Sequence, residues 1–412
     1  MSETKNMRKI IHKIKIISES LLLQLLSIGI KRRSDYIAIG SWGGDRYADN
    51  SRYLAEFINS HCPGYHIVWV GNKRIRDDVE AGLPGVIFVE KDTLFANLTL
   101  LRCKYMFFSQ MHNADISSCN VFCGATTCYL HHGMPIKKWG QDGLTQTIGS
   151  KNKINEVVHK ITGESIKYDY FVTSSPLHDK TNCSGLAYKG CTEDKNLHTG
   201  TPRNDMYFDV SPNSALEVKD KYSSILKFDN SKRIVMYLPT FRRTSTSVFS
   251  FSRLSFEQRI QLERVLERHN AILIEKSHVA EKNTFDGGSD SHILCVPSEM
   301  NVQELMLFAD ILISDYSGAF LDFILLDRPV IHYAYDYDYY KNVDSGLYYE
   351  IEDFSAGPIA YDYDSLIKAV DEALSGVDAY SEKRQYVRRK YMQYETGEAS
   401  AKIMSSVIGG TI

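Results

Sequence analysis

The sequence predicts an α/β protein built from two successive Rossmann-like halves behind an N-terminal amphipathic helix. Three observations carry that prediction. Short apolar runs alternate with helical stretches in two separate series, the pattern of parallel strands joined by crossover helices. A polar stretch from Ser211 to Lys232 lies between the series. The length of 412 residues suits two or three domains, and 43% hydrophobic with 24% charged residues supplies sizeable cores and excludes a disordered chain.

The first 33 residues hold eight Lys/Arg and two Glu, against a net charge of −3 for the whole chain, so a basic tip precedes an acidic body. From Met7 to Arg33 basic and apolar residues alternate and lead into Leu21-Leu22-Leu23-Gln24-Leu25-Leu26. Lys15 and Glu19 interrupt the apolar runs, which fall well short of the roughly 20 residues that span a bilayer. Arg8, Lys9, Lys13 and Lys15 at one end and Lys31, Arg32 and Arg33 at the other suit a helix lying on an anionic leaflet. Packing on the protein's own domain is the alternative. The membrane-surface reading implies a cytoplasmic protein, peripheral on the inner face of the membrane.

Residues 34–210 form the first α/β domain in this reading and 211–412 the second. Tyr36–Ile39, His66–Val70, Val86–Val89, Tyr105–Ser109, Thr127–Leu130 and Tyr170–Thr173 are the strands of the first. Asp49 or Asn50 is placed to cap a helix whose Tyr53, Leu54, Phe57 and Ile58 share one face. In the second, Ile234–Leu238, Ala271–Ile274, Ile293–Val296, Ile311–Ile313 and Val330–Tyr333 are strands, and Ser255–His269, Asn301–Phe308 and Ser317–Leu326 have helical periodicity. Two such halves place a ligand between them, against the carboxyl ends of the strands.

Several classes are excluded. A net charge of −3 does not suit a nucleic-acid-coating protein. Eight cysteines are too sparse for a disulfide scaffold, and Cys119, Cys123 and Cys128 lack a CxxC pair, so they read as buried free thiols rather than a zinc site. No P-loop, HExxH, GxSxG or full GxGxxG is present.

The candidate chemistry sits where strands end. Tyr129-Leu130-His131-His132-Gly133-Met134-Pro135 runs a buried strand into two imidazoles, which can accept a proton near neutral pH. Gly133 permits close approach, and Lys137 and Lys138 add charge for a phosphate-bearing acceptor. A hydrogen-bonded structural histidine is the bland alternative. Ser314-Asp315-Tyr316-Ser317-Gly318 turns a strand into a helix whose free N–H groups suit phosphate, although an ordinary capped helix has the same pattern. Arg203 in Gly200-Thr201-Pro202-Arg203-Asn204-Asp205 and Arg242 in Pro239-Thr240-Phe241-Arg242-Arg243 supply guanidinium forks for phosphate oxygens. His278 follows another buried strand.

Taken in order, His-His-Gly-x-Pro, Gly-x-Pro-Arg-Asn-Asp, Pro-Thr-Phe-Arg, Lys-x-His and Ser-Asp-Tyr-Ser resemble the CDP-glycerol glycerophosphotransferase family, the teichoic-acid-type polyol-phosphate transferases. The likeness runs from about Tyr36 to Asp362. It implies a GT-B fold, two Rossmann-like domains facing a cleft. It also implies a CDP-polyol donor, most simply CDP-glycerol, a lipid-linked or glycan acceptor of teichoic-acid or capsule type, CMP as leaving group, and attachment to an anionic membrane surface. Nucleic acid is not an expected partner. The family's Trp-His-Gly-x-Pro histidine falls on His132 and its Lys-x-His-Pro histidine on His278, while its Ser-Asp-Tyr-Ser-Ser phosphate loop falls on Ser314 to Gly318.

Three positions depart from the family pattern. His131 replaces the aromatic residue before the key histidine, which leaves open whether His131 or His132 is the base. Val279 replaces a proline, and Gly318 replaces the second loop serine.

The expected mechanism places Arg203, Arg242, Ser314, Ser317 and Gly318 on the donor pyrophosphate, with Asp315 fixing the loop, and counts His278, which also reaches the pyrophosphate, with His132 among the catalytic residues. His131, Gly133, Lys137 and Lys138 lie on the acceptor side, and His132 takes the proton of the attacking hydroxyl. No resident cofactor or metal is required, and the pyrophosphate could carry Mg²⁺. A GT-B nucleotide-sugar glycosyltransferase and a non-catalytic nucleotide-binding membrane scaffold are the rival readings.

Overall fold

The computed structural model describes residues 2–143, 153–209, 211–240, 242, 248–276, 292–297 and 299–409. The chain divides into two compact units: Met1–His132, Thr147–Asp205 and Tyr394–Ile412 form the first, and Gly133–Gln146 with Met206–Gln393 form the second.

The first unit is built on seven strands: β1 (Arg33–Gly40), β2 (His66–Gly71), β3 (Ile87–Glu90), β4 (Cys103–Phe108), β5 (Thr126–Tyr129), β6 (Tyr170–Val172) and β7 (Asn196–Leu197). They pair in parallel in the order β3-β2-β1-β4-β5-β6-β7, with Ile37 opposite Ile67 on one side and Tyr105 on the other. Ile37, Ala38 and Ile39 are fully buried, as a parallel strand covered on both faces requires. Gly40 ends β1 where a Cβ would meet the Asp115 carbonyl oxygen at 2.0 Å, so only glycine fits there.

The second unit repeats the plan with six parallel strands: β8 (Arg233–Leu238), β9 (Ala271–Lys276), β10 (Ile293–Val296), β11 (Ile311–Ser314), β12 (Val330–Tyr333) and β13 (Ile359–Ala360). Their order is β10-β9-β8-β11-β12-β13. In both sheets the winding reverses beside the first strand, between β1 and β4 and between β8 and β11. Such reversals leave a crevice at the carboxyl ends of the strands, where open α/β sheets bind ligands.

The expected strands are all present. β7 and β13 were not anticipated, because two residues at a sheet edge are too short to leave a pattern in sequence. The stretch read as a polar linker is largely a helix, Pro212–Leu226. Ser211 caps it by accepting from the Ser214 N–H, and Tyr222 is buried, its hydroxyl donating to Glu304. The helix Asp49–His61 takes no side-chain cap from Ala48, and Asp49 Oδ1 accepts from the Asn50 N–H at its start. The last helix, Ala399–Ile408, belongs with the first unit rather than the second. Its Ile403, Met404 and Val407 pack in one core with Ile37, Leu54, Ile58 and Trp69.

The N-terminal helix is Ser2–Gly29. Leu23 and Ser20 are buried on the first unit, where the Gln24 amide donates to the Ile161 carbonyl and the Asn97 amide to Glu19. Met7, Ile10, Ile11, Ile14, Leu25 and Ile28 remain exposed. No helix among the described residues is long and apolar enough to cross a membrane.

Candidate active site

In the first unit the histidine pair leaves β5 through an uncommon backbone. His131 has φ 62°, a left-handed conformation that a non-glycine residue holds only when its surroundings enforce it. Its side chain is 1% exposed, whereas His132 is exposed. The His132 N–H donates to His131 Nδ1 at 2.9 Å, and the two rings stack at 5.0 Å. His178, fully buried on the helix Pro176–Gly185, stands edge-on to His131 at 4.6 Å and accepts from the Ser174 N–H through Nδ1.

Asn50 lies beneath this turn, fully buried. Its Nδ2 donates to the carbonyls of Leu130 (3.1 Å) and His131 (2.8 Å), and its Oδ1 accepts from the Arg203 N–H (3.1 Å). Arg203 is 6% exposed, with Nη1 on Asp49 Oδ1 at 2.7 Å. The rest of its motif is equally engaged. Thr201 donates through N–H and hydroxyl to Glu395, and Asp205 accepts from the Ala399 and Ser400 N–H groups at the start of the last helix. The motif therefore clasps two distant parts of the first unit, Asp49–Asn50 and residues 395–400, a use that its spacing did not reveal.

In the second unit the loop after β11 sits at the sheet's reversal. Asp315 is fully buried and accepts from the Thr240 and Tyr316 N–H groups and from Arg242 Nη2 (2.9 Å). Arg242 also forks onto Asp336, with Nε to Oδ2 at 2.8 Å and Nη2 to Oδ1 at 2.9 Å, and donates to the Thr240 carbonyl. Tyr316 and Tyr340 stack at 4.3 Å, with the guanidinium over both rings. Burial opposes the Arg242 charge, but Asp315 and Asp336 outweigh it and hold its pKa above the ordinary value. Asp336 lies in the run Tyr333-Ala334-Tyr335-Asp336-Tyr337-Asp338-Tyr339-Tyr340, and its pairing with Arg242 gives that run a purpose composition alone did not show.

Ser314 Oγ donates to the Leu238 carbonyl, and Ser317 Oγ accepts from the Ala319 N–H. The helix that follows is one short turn and a half, Ala319–Phe323. A Cβ on Gly318 would come within 2.8 Å of the Met134 carbonyl oxygen, so the missing loop serine has a steric cause. Gly133, Lys137 and Lys138 belong to this unit, where the Lys138 N–H donates to the Gly346 carbonyl and Lys137 bridges to Leu347. His278 lies outside the described residues, as do Phe241, Arg243 and Val279. Cys119 and Cys128 are buried free thiols as expected, while Cys123 is exposed.

Three histidines are held neutral inside the units. Burial, with Lys189 nearby, pushes His112 down to about 3, burial and His132 push His178 down to about 3, and burial pushes His332 down to about 4. Their ordinary value is near 6.5. Between these values the unfolded chain binds more protons than the folded one, so stability is fully present above pH ~6.5 and is lost as pH falls. The limiting slope is about 1.4 kcal/mol per pH unit for each histidine. Urea unfolding at pH 7.5 and pH 5 is expected to show a loss of about 2 kcal/mol per buried histidine. A stability that does not change between the two pH values would contradict this burial.

Two all-parallel Rossmann-like units, with polar loops at both reversals, make a GT-B-type fold. The chain belongs to the CDP-glycerol:poly(glycerophosphate) glycerophosphotransferase family, which it matches over residues 23–409. It is similar to the teichoic acid glycerol-phosphate transferase of Staphylococcus aureus, with 26% identity over 95% of this chain and 98% of that one. It is also similar to the teichoic acid poly(glycerol phosphate) polymerase of Bacillus spizizenii, with 24% identity over 95% and 98%. Its fold is shared with the wall teichoic acid polymerase TagF, at a TM-score of 0.75 and 22% identity over 98% of this chain and 97% of that one. The protein is accordingly an enzyme of polyol-phosphate transfer.

Proposed function

We propose that this enzyme transfers glycerol phosphate from CDP-glycerol to a hydroxyl of a teichoic-acid-type acceptor at the inner face of the cell membrane, with His132 as general base. The observation that carries the assignment of the base is the contrast within the histidine pair. His131 is enclosed and its Nδ1 already accepts from the His132 N–H, whereas the His132 ring is exposed.

In the proposed step the acceptor oxygen attacks the phosphorus that bears glycerol, and the acceptor proton passes to the His132 imidazole. The bond from that phosphorus to the bridging oxygen breaks, and CMP leaves with the electron pair. Positioning and charge stabilisation supply most of the acceleration in such transfers. Ser317 and the loop Ser314–Gly318 receive the pyrophosphate together with His278, and Gly133, Lys137 and Lys138 meet the acceptor. Arg242, committed to Asp315 and Asp336, contributes by holding the Ser314–Gly318 loop, and Arg203, committed to Asp49, by holding the start of the helix Asp49–His61.

Membrane attachment is supported by the exposed apolar residues of the helix Ser2–Gly29 beside its basic residues, and by exposed Phe95, Ile154 and Val157 elsewhere on the first unit. The test is release of CMP from CDP-glycerol and CDP-ribitol, with and without a membrane fraction and Mg²⁺, alongside sedimentation with anionic vesicles. Acceptor-dependent CMP from CDP-glycerol and salt-sensitive sedimentation are expected. A nucleoside diphosphate released from a nucleotide sugar, with neither CDP-polyol bound, would replace this reading with a glycosyltransferase.

A further inference from the structure

We infer that Asn50 is a positioning residue that presents His132 by clamping the strained backbone of His131; this rests on the reading of His132 as the base. A left-handed non-glycine residue costs of order 1–3 kcal/mol and persists only where its neighbours over-determine it. At His131 a buried amide holds the backbone on both sides. Asn50 Nδ2 reaches the carbonyls of both Leu130 and His131, on either side of the strained φ, and Oδ1 accepts from the Arg203 N–H. These partners settle the amide's orientation, since its nitrogen faces two acceptors and its oxygen a donor.

The clamp is itself fixed. The Asn50 N–H donates to Asp49 Oδ1 (2.9 Å), which also takes the Arg203 guanidinium. Asp49 has φ 63°, so the start of its helix is shaped to this junction as well. On the other side His178 closes against the His131 ring. With the His131 backbone and ring both held, its Nδ1 fixes the amide of His132, on whose ring it stacks. The Asn50 amide hydrogen-bonds to backbone groups. It acts through the turn, and a misplacement of about 1 Å at a reacting group can cost about 10²-fold in rate.

The substitutions Asn50→Ser, Asn50→Ala and Asn50→Asp form a graded series. Serine can serve one carbonyl, alanine serves neither, and aspartate places oxygen against two carbonyl oxygens. The expected result is a stepwise fall in kcat in that order, by about 10- to 100-fold at alanine, with KM for CDP-glycerol within about twofold of the wild type. Combining Asn50→Ala with His132→Ala is expected to add less than about twofold to the loss from His132→Ala alone, because residues that act as a unit are not additive.

An unchanged kcat in Asn50→Ala, or a loss shared with donor binding, would overturn the inference. So would an Asn50 effect of full size in the His132→Ala background. His132→Ala alone reports on the base assignment, so the failures of the two ideas differ. Should its residual rate be too small to compare, the kcat-against-KM split of the single variants decides. Should Asn50→Ala not fold, Asn50→Ser carries the same split.

Discussion

Replacing His132 with alanine is expected to lower turnover by about 10²- to 10⁴-fold while CDP-glycerol binding stays within about twofold, the range for a positioned general base. On the proposed mechanism the loss belongs to the chemical step, because His132, the exposed member of the pair, would take the acceptor's proton only as the oxygen attacks. The donor phosphates are assigned to the loop after β11, which the substitution does not touch. His131→Phe is expected to cost less, since its buried ring acts on His132 indirectly, through the Nδ1 that accepts from the His132 N–H and by packing, and takes no proton itself. Single-turnover CMP release, paired with equilibrium binding of CDP-glycerol, measures the two quantities separately. A His132→Ala enzyme within tenfold of the wild type would remove the histidine from the proton transfer. A parallel collapse of donor affinity would instead place it among the donor contacts.

The parts of this architecture that sequence reveals are those encoded locally. β1, β2, β8 and β11 are continuous apolar runs, and such runs follow from burial on both faces. The histidine pair and the Ser-Asp-Tyr-Ser loop stand out because they follow such runs directly, at the ends where doubly wound sheets carry their ligands. What sequence hides is pairing across distance. Asn50 meets the His131 carbonyl 81 positions away, Asp49 meets Arg203 after 154, and Arg242 meets Asp336 after 94. An arginine bound to phosphate and one bound to aspartate look the same until the partner is seen. Arg203 and Arg242 meet three carboxylates far away in sequence, Asp49 for the first and Asp315 and Asp336 for the second. Asp336 was inconspicuous for a related reason: among alternating Tyr and Asp, nothing marks the one carboxylate that faces inward.

Removing the Arg242 guanidinium is expected to be the most damaging single change to the stability of the second unit. Arg242→Ala leaves Asp315 fully buried and Asp336 largely so, without their shared cation, and opening a buried pair from one side costs about 3–5 kcal/mol. Screening by salt should rescue little of this, since buried pairs are poorly screened. Arg242→Lys should recover only part of the loss, because an ammonium cannot fork onto Asp336 while also reaching Asp315 and the Thr240 carbonyl. Turnover should fall along with stability, because Asp315 ties the loop after β11 to the Thr240 N–H and Tyr316 N–H groups. Denaturant unfolding of both variants, set against their KM for CDP-glycerol, separates the two possible roles of the side chain. An arginine that contacts the donor directly would give a variant of unchanged stability and raised KM. An arginine that holds the loop gives a destabilised variant, and adding CDP-glycerol should recover part of its stability in proportion to the donor it still binds.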